Sequence, residues 1–304
     1  MIFKYTYKDI TWVDIESPTK EDIRQVMEEY DIHPIVADEL ISPTLRPKVD
    51  LYDDFIYLIL HFPTISHKHC SDTEQEVDFI IGKNFLITTH YDVIDPLHEF
   101  SKVFEVNSIL DKSNIGTHAG FLFFYIMREM YKSSLRELDM IQDVLEKIES
   151  KIFAGEEVKM VEVISNTSRD LLNFKQAMRP HKEVLESFEL AGEKFFGKEF
   201  LYYMRGISGE YYKIYNILEG HRETLNELRN TNDSLLTTKT NETIKILTVI
   251  ASLALPGAII ASIFGMNATS MPFVGEPNDF WILVSIIAAV TFLTLMFFKY
   301  KKWM

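Results

Sequence analysis

ILTVIASLALPGAIIASIF, residues 246–264, and FWILVSIIAAVTFLTLMFF, residues 280–298, are two runs of 19 positions without a formal charge. At a rise of ~1.5 Å per residue each run covers about 28 Å as a helix, close to the ~30 Å hydrocarbon thickness of a bilayer. The competing reading is a pair of core helices in a large soluble domain, which uncharged runs of this length and spacing fit poorly. Lys239 and Lys245 stand where the first run begins, and Lys299, Lys301 and Lys302 where the second ends. The connecting segment has no Lys or Arg and carries Glu276 and Asp279. The positive-inside bias then predicts both termini in the cytoplasm and a short loop outside. Trp281 and Trp303 suit the two interfaces, an indole being apolar in body and polar at its tip.

The rest of the chain bounds the possibilities. Over 304 residues the net charge is −14, with a pI near 5.1. Such a balance argues against nucleic acid as a partner, because phosphate neutralisation needs clustered Lys and Arg. One cysteine, Cys70, excludes an intrachain disulfide and fits a reducing compartment. The N-terminal MIFKYTYKDI lacks the long apolar core of a signal peptide. No Walker loop, dinucleotide fingerprint or nucleophile elbow occurs, which argues against ATP-driven pumping and against an enzyme.

Residues 1–92 alternate strand-like and helix-like patterns. IFKYTY (2–7), ITWVDI (10–15) and DFIYLILHF (54–62) read as strands, and EVDFIIG (76–82) with NFLITTH (84–90) as a hairpin. Ser17, Pro18 and Thr19 open a helix with acids in its first turn, and a short helix is expected over about 95–106. From Thr117 onward the apolar period is 3.6, giving helices over 117–153, about 158–190 and about 198–264, the last continuous with the first membrane run. The predicted fold is an α+β cytoplasmic domain followed by a long stalk helix continuous with the first of two C-terminal transmembrane helices. By residue, this is a mixed α/β domain over 1–115, a helical hairpin over 116–197, a stalk over 198–243 and a membrane domain over 244–304. Within that domain the first span is about 244–264, the outer loop 265–279 and the second span about 280–298. A stalk helix this long, roughly 100 Å if continuous, needs neighbours to pack against. Two spans per chain are also too few to enclose an aqueous path, so conduction requires a ring of identical subunits, each donating one lining helix.

The first span ends in Gly265-Met266-Asn267, with the second beginning 13 residues later. In this position the chain resembles the CorA-type magnesium transporter family, whose hallmark is Gly-Met-Asn at the outer mouth of the first span. TWVDIESPTKEDI (11–23), IHPIVADEL (32–40), RPKVDLYDDFIYLILHFP (46–63), GHRETLNEL (220–228) and Pro256 are also similar to the family, in the same order. The resemblance implies a ring-shaped homo-oligomer, a pentamer, passing Mg²⁺, and in some relatives Co²⁺, Ni²⁺ or Zn²⁺, across the cytoplasmic membrane. It also implies a pathway closed by intracellular divalent cation, with Mg²⁺ as cargo and regulatory ion and no prosthetic group. The partners expected are the lipid bilayer, further copies of the chain and divalent metal ions.

Physical chemistry fits a filter of that composition. Mg²⁺ takes oxygen ligands octahedrally and gives up water reluctantly, so rapid binding and release favour neutral oxygens that touch the hydrated ion. A ring of Asn267 side-chain carbonyls backed by Gly265 main-chain carbonyls would supply them, with Met266 packing the loop. The alternative is that Asn267 simply caps the helix. Steps of 3.6 residues back from Ser262 give Ala258, Leu255, Ala251, Thr248, Ile244 and Asn241, a face of small, hydroxyl and aliphatic residues without acids. Asn241 resembles a polar pore ring of the family at the cytoplasmic entrance, and Ile244 and Leu255 are candidate dewetting constrictions. Ordinary packing by small residues is the alternative.

Further signals are weaker. Glu276 and Asp279 are placed to concentrate cations outside, although the family's Met-Pro-Glu is here Met271-Pro272-Phe273. Lys245 reads as an interface anchor or as part of a cationic collar. Glu219, Glu223 and Glu227 recur at i, i+4, either as regulatory metal ligands or as a solvated face. His67, His69 and Cys70 in SHKHC offer soft ligands but not four spaced ones. Besides the Mg²⁺ channel, the sequence leaves open a Zn²⁺ transporter of the same fold and a membrane-anchored sensor or scaffold that transports nothing.

Overall fold

The computed structural model describes residues 1–64, 74–109, 116–266, 278–301 and 303. They form two compact units, Met1–Arg229 and Asn230–Met304.

In the first unit, strands β1 (Ile2–Tyr7), β2 (Ile10–Glu16), β3 (Lys48–Leu51), β4 (Phe55–Pro63), β5 (Glu74–Gly82) and β6 (Phe85–His90) make one sheet in the order β1-β2-β6-β5-β4-β3. Every pairing is antiparallel except β2 with β6, where Val13 lies opposite Ile87 and Ile15 opposite Thr89. Parallel neighbours need a crossover, and helices α1 (Lys20–Tyr30) and α2 (Pro34–Glu39) lie on that path. They cover one face, packing Ile23, Val26, Val36 and Leu40 onto Val13, Ile15, Tyr57, Ile59, Ile80 and Ile87.

Helices α3 (Asp95–Ile109) and α4 (Ala119–Phe153) cover the other face. Trp12 meets Phe100 and Phe104 there, and Phe79 meets Phe123 edge-on at 5.1 Å. Coverage on both sides explains why β4 is buried along its whole length and reads as a continuous apolar run. Thr19 starts α1 with a reciprocal capping box: its hydroxyl accepts from the Asp22 N–H (3.2 Å) and its own N–H donates to the Asp22 carboxylate (3.1 Å). Thr19→Ala is expected to cost about 1 kcal/mol in chemical unfolding of the soluble unit.

The helical half differs from the sequence expectation in one respect. The segment read as one helix over about 158–190 is two, α5 (Glu157–Met178) and α6 (His181–Phe196). Pro180 between them has no N–H to continue the α5 ladder. The region expected as a hairpin therefore carries three helices. After α6 the chain turns at Gly197, whose φ of 93° is strained for any residue with a Cβ. A 3-10 turn (Lys198–Phe200) leads into α7 (Leu201–Phe264), a single 64-residue helix that includes Pro256. Short α2 and β3 were not anticipated.

His181 opens α6 from inside the core. It is fully buried, and its Nε2–H donates to the His61 carbonyl on β4 (2.7 Å) while Nδ1 accepts from the Tyr131 hydroxyl on α4 (2.9 Å). Its ring meets Phe62 edge-on and stacks over Tyr211 of α7. One imidazole thus ties β4, α4, α6 and α7 together. Burial holds its pKa down at about 4.

The second unit is built from the C-terminal part of α7 and from α8 (Asp279–Tyr300). A Cβ placed on Gly257 would stand 3.3 Å from Ile287, so the two helices approach closely where α7 has no side chain. The most apolar windows of α7 and α8 are only 6% and 0% buried within the chain, unlike soluble core helices and as expected of transmembrane helices.

Candidate functional site: the free face of the first membrane helix

Along the membrane part of α7, two faces are distinguishable by burial. Val249 is buried, and Ser252, Leu253, Pro256, Gly257, Ile260 and Phe264 are partly covered. Their spacing of three to four residues is that of a single helix face. On α8 the partly covered or buried positions Leu283, Ile287, Val290, Thr291, Thr294, Leu295 and Phe298 follow the same rhythm. The unit therefore spends one face of each helix on internal contact.

The seven positions expected to line a path, Asn241, Ile244, Thr248, Ala251, Leu255, Ala258 and Ser262, are all exposed. At ~100° per residue their mean direction lies roughly 140° around α7 from the covered face. The structure brings them together as one line on one helix and leaves that line uncovered by its own chain. Within it, the Thr248 hydroxyl donates to the Ile244 carbonyl (2.8 Å), so its proton is used inside the helix and its lone pairs remain outward. Thr237, Thr240 and Thr243, on the preceding turns, make the same bond to the carbonyl four residues back.

At the end of α7 the helix is closed by the Gly265 N–H bonding the Ala261 carbonyl (2.9 Å) and the Met266 N–H bonding that of Ile263 (3.3 Å). Gly265 and Met266 are exposed. Asn267 and Glu276 lie outside the described residues, as do His67, His69 and Cys70; Asp279 is described only as the first residue of α8.

The glutamate row on α7 is not gathered as a metal site. Glu219 receives Lys175 of α5 at 2.8 Å and Arg222 at 2.8 Å, and these cations hold its carboxyl below the ordinary range, the Lys175 hydrogen bond first. Glu223 and Glu227 are exposed. Among the described residues no group of three or more His, Cys, Asp or Glu is placed to hold a metal ion. The i, i+4 spacing carried no information on Lys175, which comes from another helix.

Sequence reasoning passed over two buried polar residues, His181 and Asp78. The signal for Asp78 was present: it is the one acid within Val77, Phe79, Ile80 and Ile81, on a strand buried along nearly its whole length.

Comparison with known proteins places these features in context. The sequence model described as "CorA-like Mg2+ transporter protein" matches residues 7–301. The chain is 25% identical to the cobalt/magnesium transport protein CorA of Thermotoga maritima, over 97% of this chain and 83% of that one. Its fold is similar to the complete structure of the CorA magnesium transporter from Methanocaldococcus jannaschii, with a TM-score of 0.85 at 21% identity over 99% of this chain and 94% of that one. It is also similar, at a TM-score of 0.61 and 14% identity over 75% of this chain and 88% of the other, to the ZntB cytoplasmic domain from Vibrio parahaemolyticus.

Proposed function

Because the chain belongs to the CorA-like Mg²⁺ transporter family and is a metal ion transporter by that membership, we propose that it is a passive Mg²⁺ channel of the cytoplasmic membrane, assembled as a ring of identical subunits. The observation that carries this reading is the uncovered line from Asn241 to Ser262, set away from the face that α7 spends on its own chain. A lone hairpin has no use for a polar and small-residue face in lipid, whereas a ring of such hairpins turns it toward a shared water-filled axis.

In this reading each α7 contributes one stave. Asn241 and Thr248 offer neutral oxygens to a hydrated ion, and Ile244 and Leu255 form the apolar constrictions. Gly265, Met266 and Asn267 form the outer filter, where carbonyl oxygens replace or contact the ion's water shell without a charge to trap it. Glu276 and Asp279 raise the local cation concentration outside. The ring is a pentamer with both termini in the cytoplasm, and the soluble unit closes the path when internal divalent cation is high. Zn²⁺ is the second candidate cargo, as the resemblance to the wider family implies.

Purified protein in liposomes tests the function. Mg²⁺ uptake down its gradient, in competition with Zn²⁺, separates the two cargoes, and absence of any flux favours the sensor or scaffold reading. A thiol scan tests the line. In a Cys70→Ser background, Ala251→Cys, Leu255→Cys and Ala258→Cys are expected to react with a charged thiol reagent and lose flux. Val249→Cys and Ile260→Cys, on the covered face, are expected to keep it. Equal block at both sets would sink the assignment of the line.

A further inference from the structure

Asp78 lies in the middle of β5, facing α2 and only 1% exposed, with Ile59 of β4 and Thr89 of β6 as its cross-strand neighbours. Neither carboxyl oxygen receives a hydrogen bond among the described residues. A buried carboxylate without donors is among the costliest groups a core can hold.

The groups around it do not neutralise a charge there. Lys48 of β3 is engaged with Glu39 of α2 (2.7 Å) and Asp50 (2.9 Å). The hydroxyls of Tyr57 on β4 and of Thr89 are buried without partners, and that of Tyr91 after β6 faces the Asp78 carboxyl, one neutral donor for its two oxygens. The group within hydrogen-bonding reach on its own strand is Glu76, a second acid two residues away on the same face.

Glu76 is differently supplied. Its Oε2 accepts the Thr44 N–H (2.7 Å) and pairs with His61 Nε2 (3.1 Å), while its Oε1 accepts the Thr44 hydroxyl (3.2 Å). His61 also stands 3.7 Å from Glu74. Two carboxyl groups side by side are both acceptors, so no hydrogen bond joins them unless one carries a proton. Glu76 has donors from Thr44 and His61 that Asp78 lacks, which leaves the shared proton on Asp78.

We propose that Asp78 and Glu76 form a proton-binding site, in which a neutral Asp78 carboxyl donates its hydrogen to the Glu76 carboxylate that anchors the α2–β3 connection. Thr44, in that connection, is bonded to Glu76 through both its N–H and its hydroxyl. Loss of the proton would set two negative charges together in the core, beside Glu39 and opposed by Lys48, and would loosen the Glu76–Thr44 anchor. The soluble unit thereby carries a pH-responsive joint, independent of whether the membrane line conducts Mg²⁺.

The direction of the linkage is fixed. Burial, then the charge of Glu76, raises the Asp78 pKa in the folded state. The stability it contributes is fully present below the ordinary carboxylate range and is lost as pH rises through the folded value.

Infrared spectroscopy of the full-length protein reads the proton directly, through the C=O stretch of a protonated carboxylic acid. At pH 7 wild type is expected to show a protonated component that is lost in Asp78→Asn and disappears from wild type on alkalinisation. Asp78→Ser, small and able to donate to Glu76, gives the same loss if the asparagine variant does not fold. Hydrogen exchange at the Thr44 amide should accelerate with pH more steeply than base catalysis alone in wild type, but not in Asp78→Asn. A protonated band that survives both substitutions, or a Thr44 amide with the same pH dependence in wild type and variant, would overturn the proposal.

Discussion

Replacing Asn267 with alanine is expected to reduce Mg²⁺ uptake to the background of empty liposomes while leaving the subunit assembly unchanged in size. In the proposed ring the substitution removes one neutral carbonyl oxygen per subunit at the same height, so the whole ring of oxygens facing the ion is lost at once. A hydrated Mg²⁺ holds its water strongly, and an apolar ring offers nothing to replace or contact it. Asn267→Asp makes a separate demand: it keeps the oxygens but adds a charge per subunit, which should strengthen Mg²⁺ binding and slow release. Full flux through Asn267→Ala would remove the filter assignment, because helix capping is then the residue's sufficient role.

Substituting His181 is expected to have the largest effect on stability. His181→Ala leaves the Tyr131 hydroxyl and the His61 carbonyl without partners and empties a fully buried site between four elements. Together the cavity and the orphaned groups should cost about 3–5 kcal/mol in denaturant unfolding of the soluble unit. The imidazole also sets an acid limit. Its folded pKa, about 4, lies below the ordinary 6.5, so on acidification the unfolded chain takes up the proton first. Stability is therefore lost as pH falls from about 6.5 to about 4, by about 3 kcal/mol for this group. His181→Phe should flatten that limb of the profile, and an unchanged acid slope would show that His181 does not set it. Asp78 works in the opposite sense, losing stability as pH rises, so the two groups bracket the pH range of the soluble unit.

How far the sequence could be read follows from the range of each interaction. Local signals were legible: Ser17, Pro18 and Thr19 as the opening of α1 with acids in its first turn, and β5 with β6 as a hairpin. Pro180 was a local signal too, and overlooking it merged α5 with α6. Interactions between distant segments were not legible. Lys175 closes on Glu219 from another helix, and Glu76 is held by Thr44 across 32 positions. His181 reaches a carbonyl 120 positions away.

The membrane hairpin was fixed by composition alone, because a bilayer demands a length of uncharged residues and tolerates little else. The direction of the candidate line was also present in the 3.6-residue period. Which face of α7 the chain covers for itself required the tertiary structure, since small and apolar residues occur on both faces and only packing against α8 separates them. The same holds for the buried acids. A sequence records that Asp78 is a carboxylic acid, but its proton depends on burial and on a facing carboxylate, and both exist only once the sheet has formed.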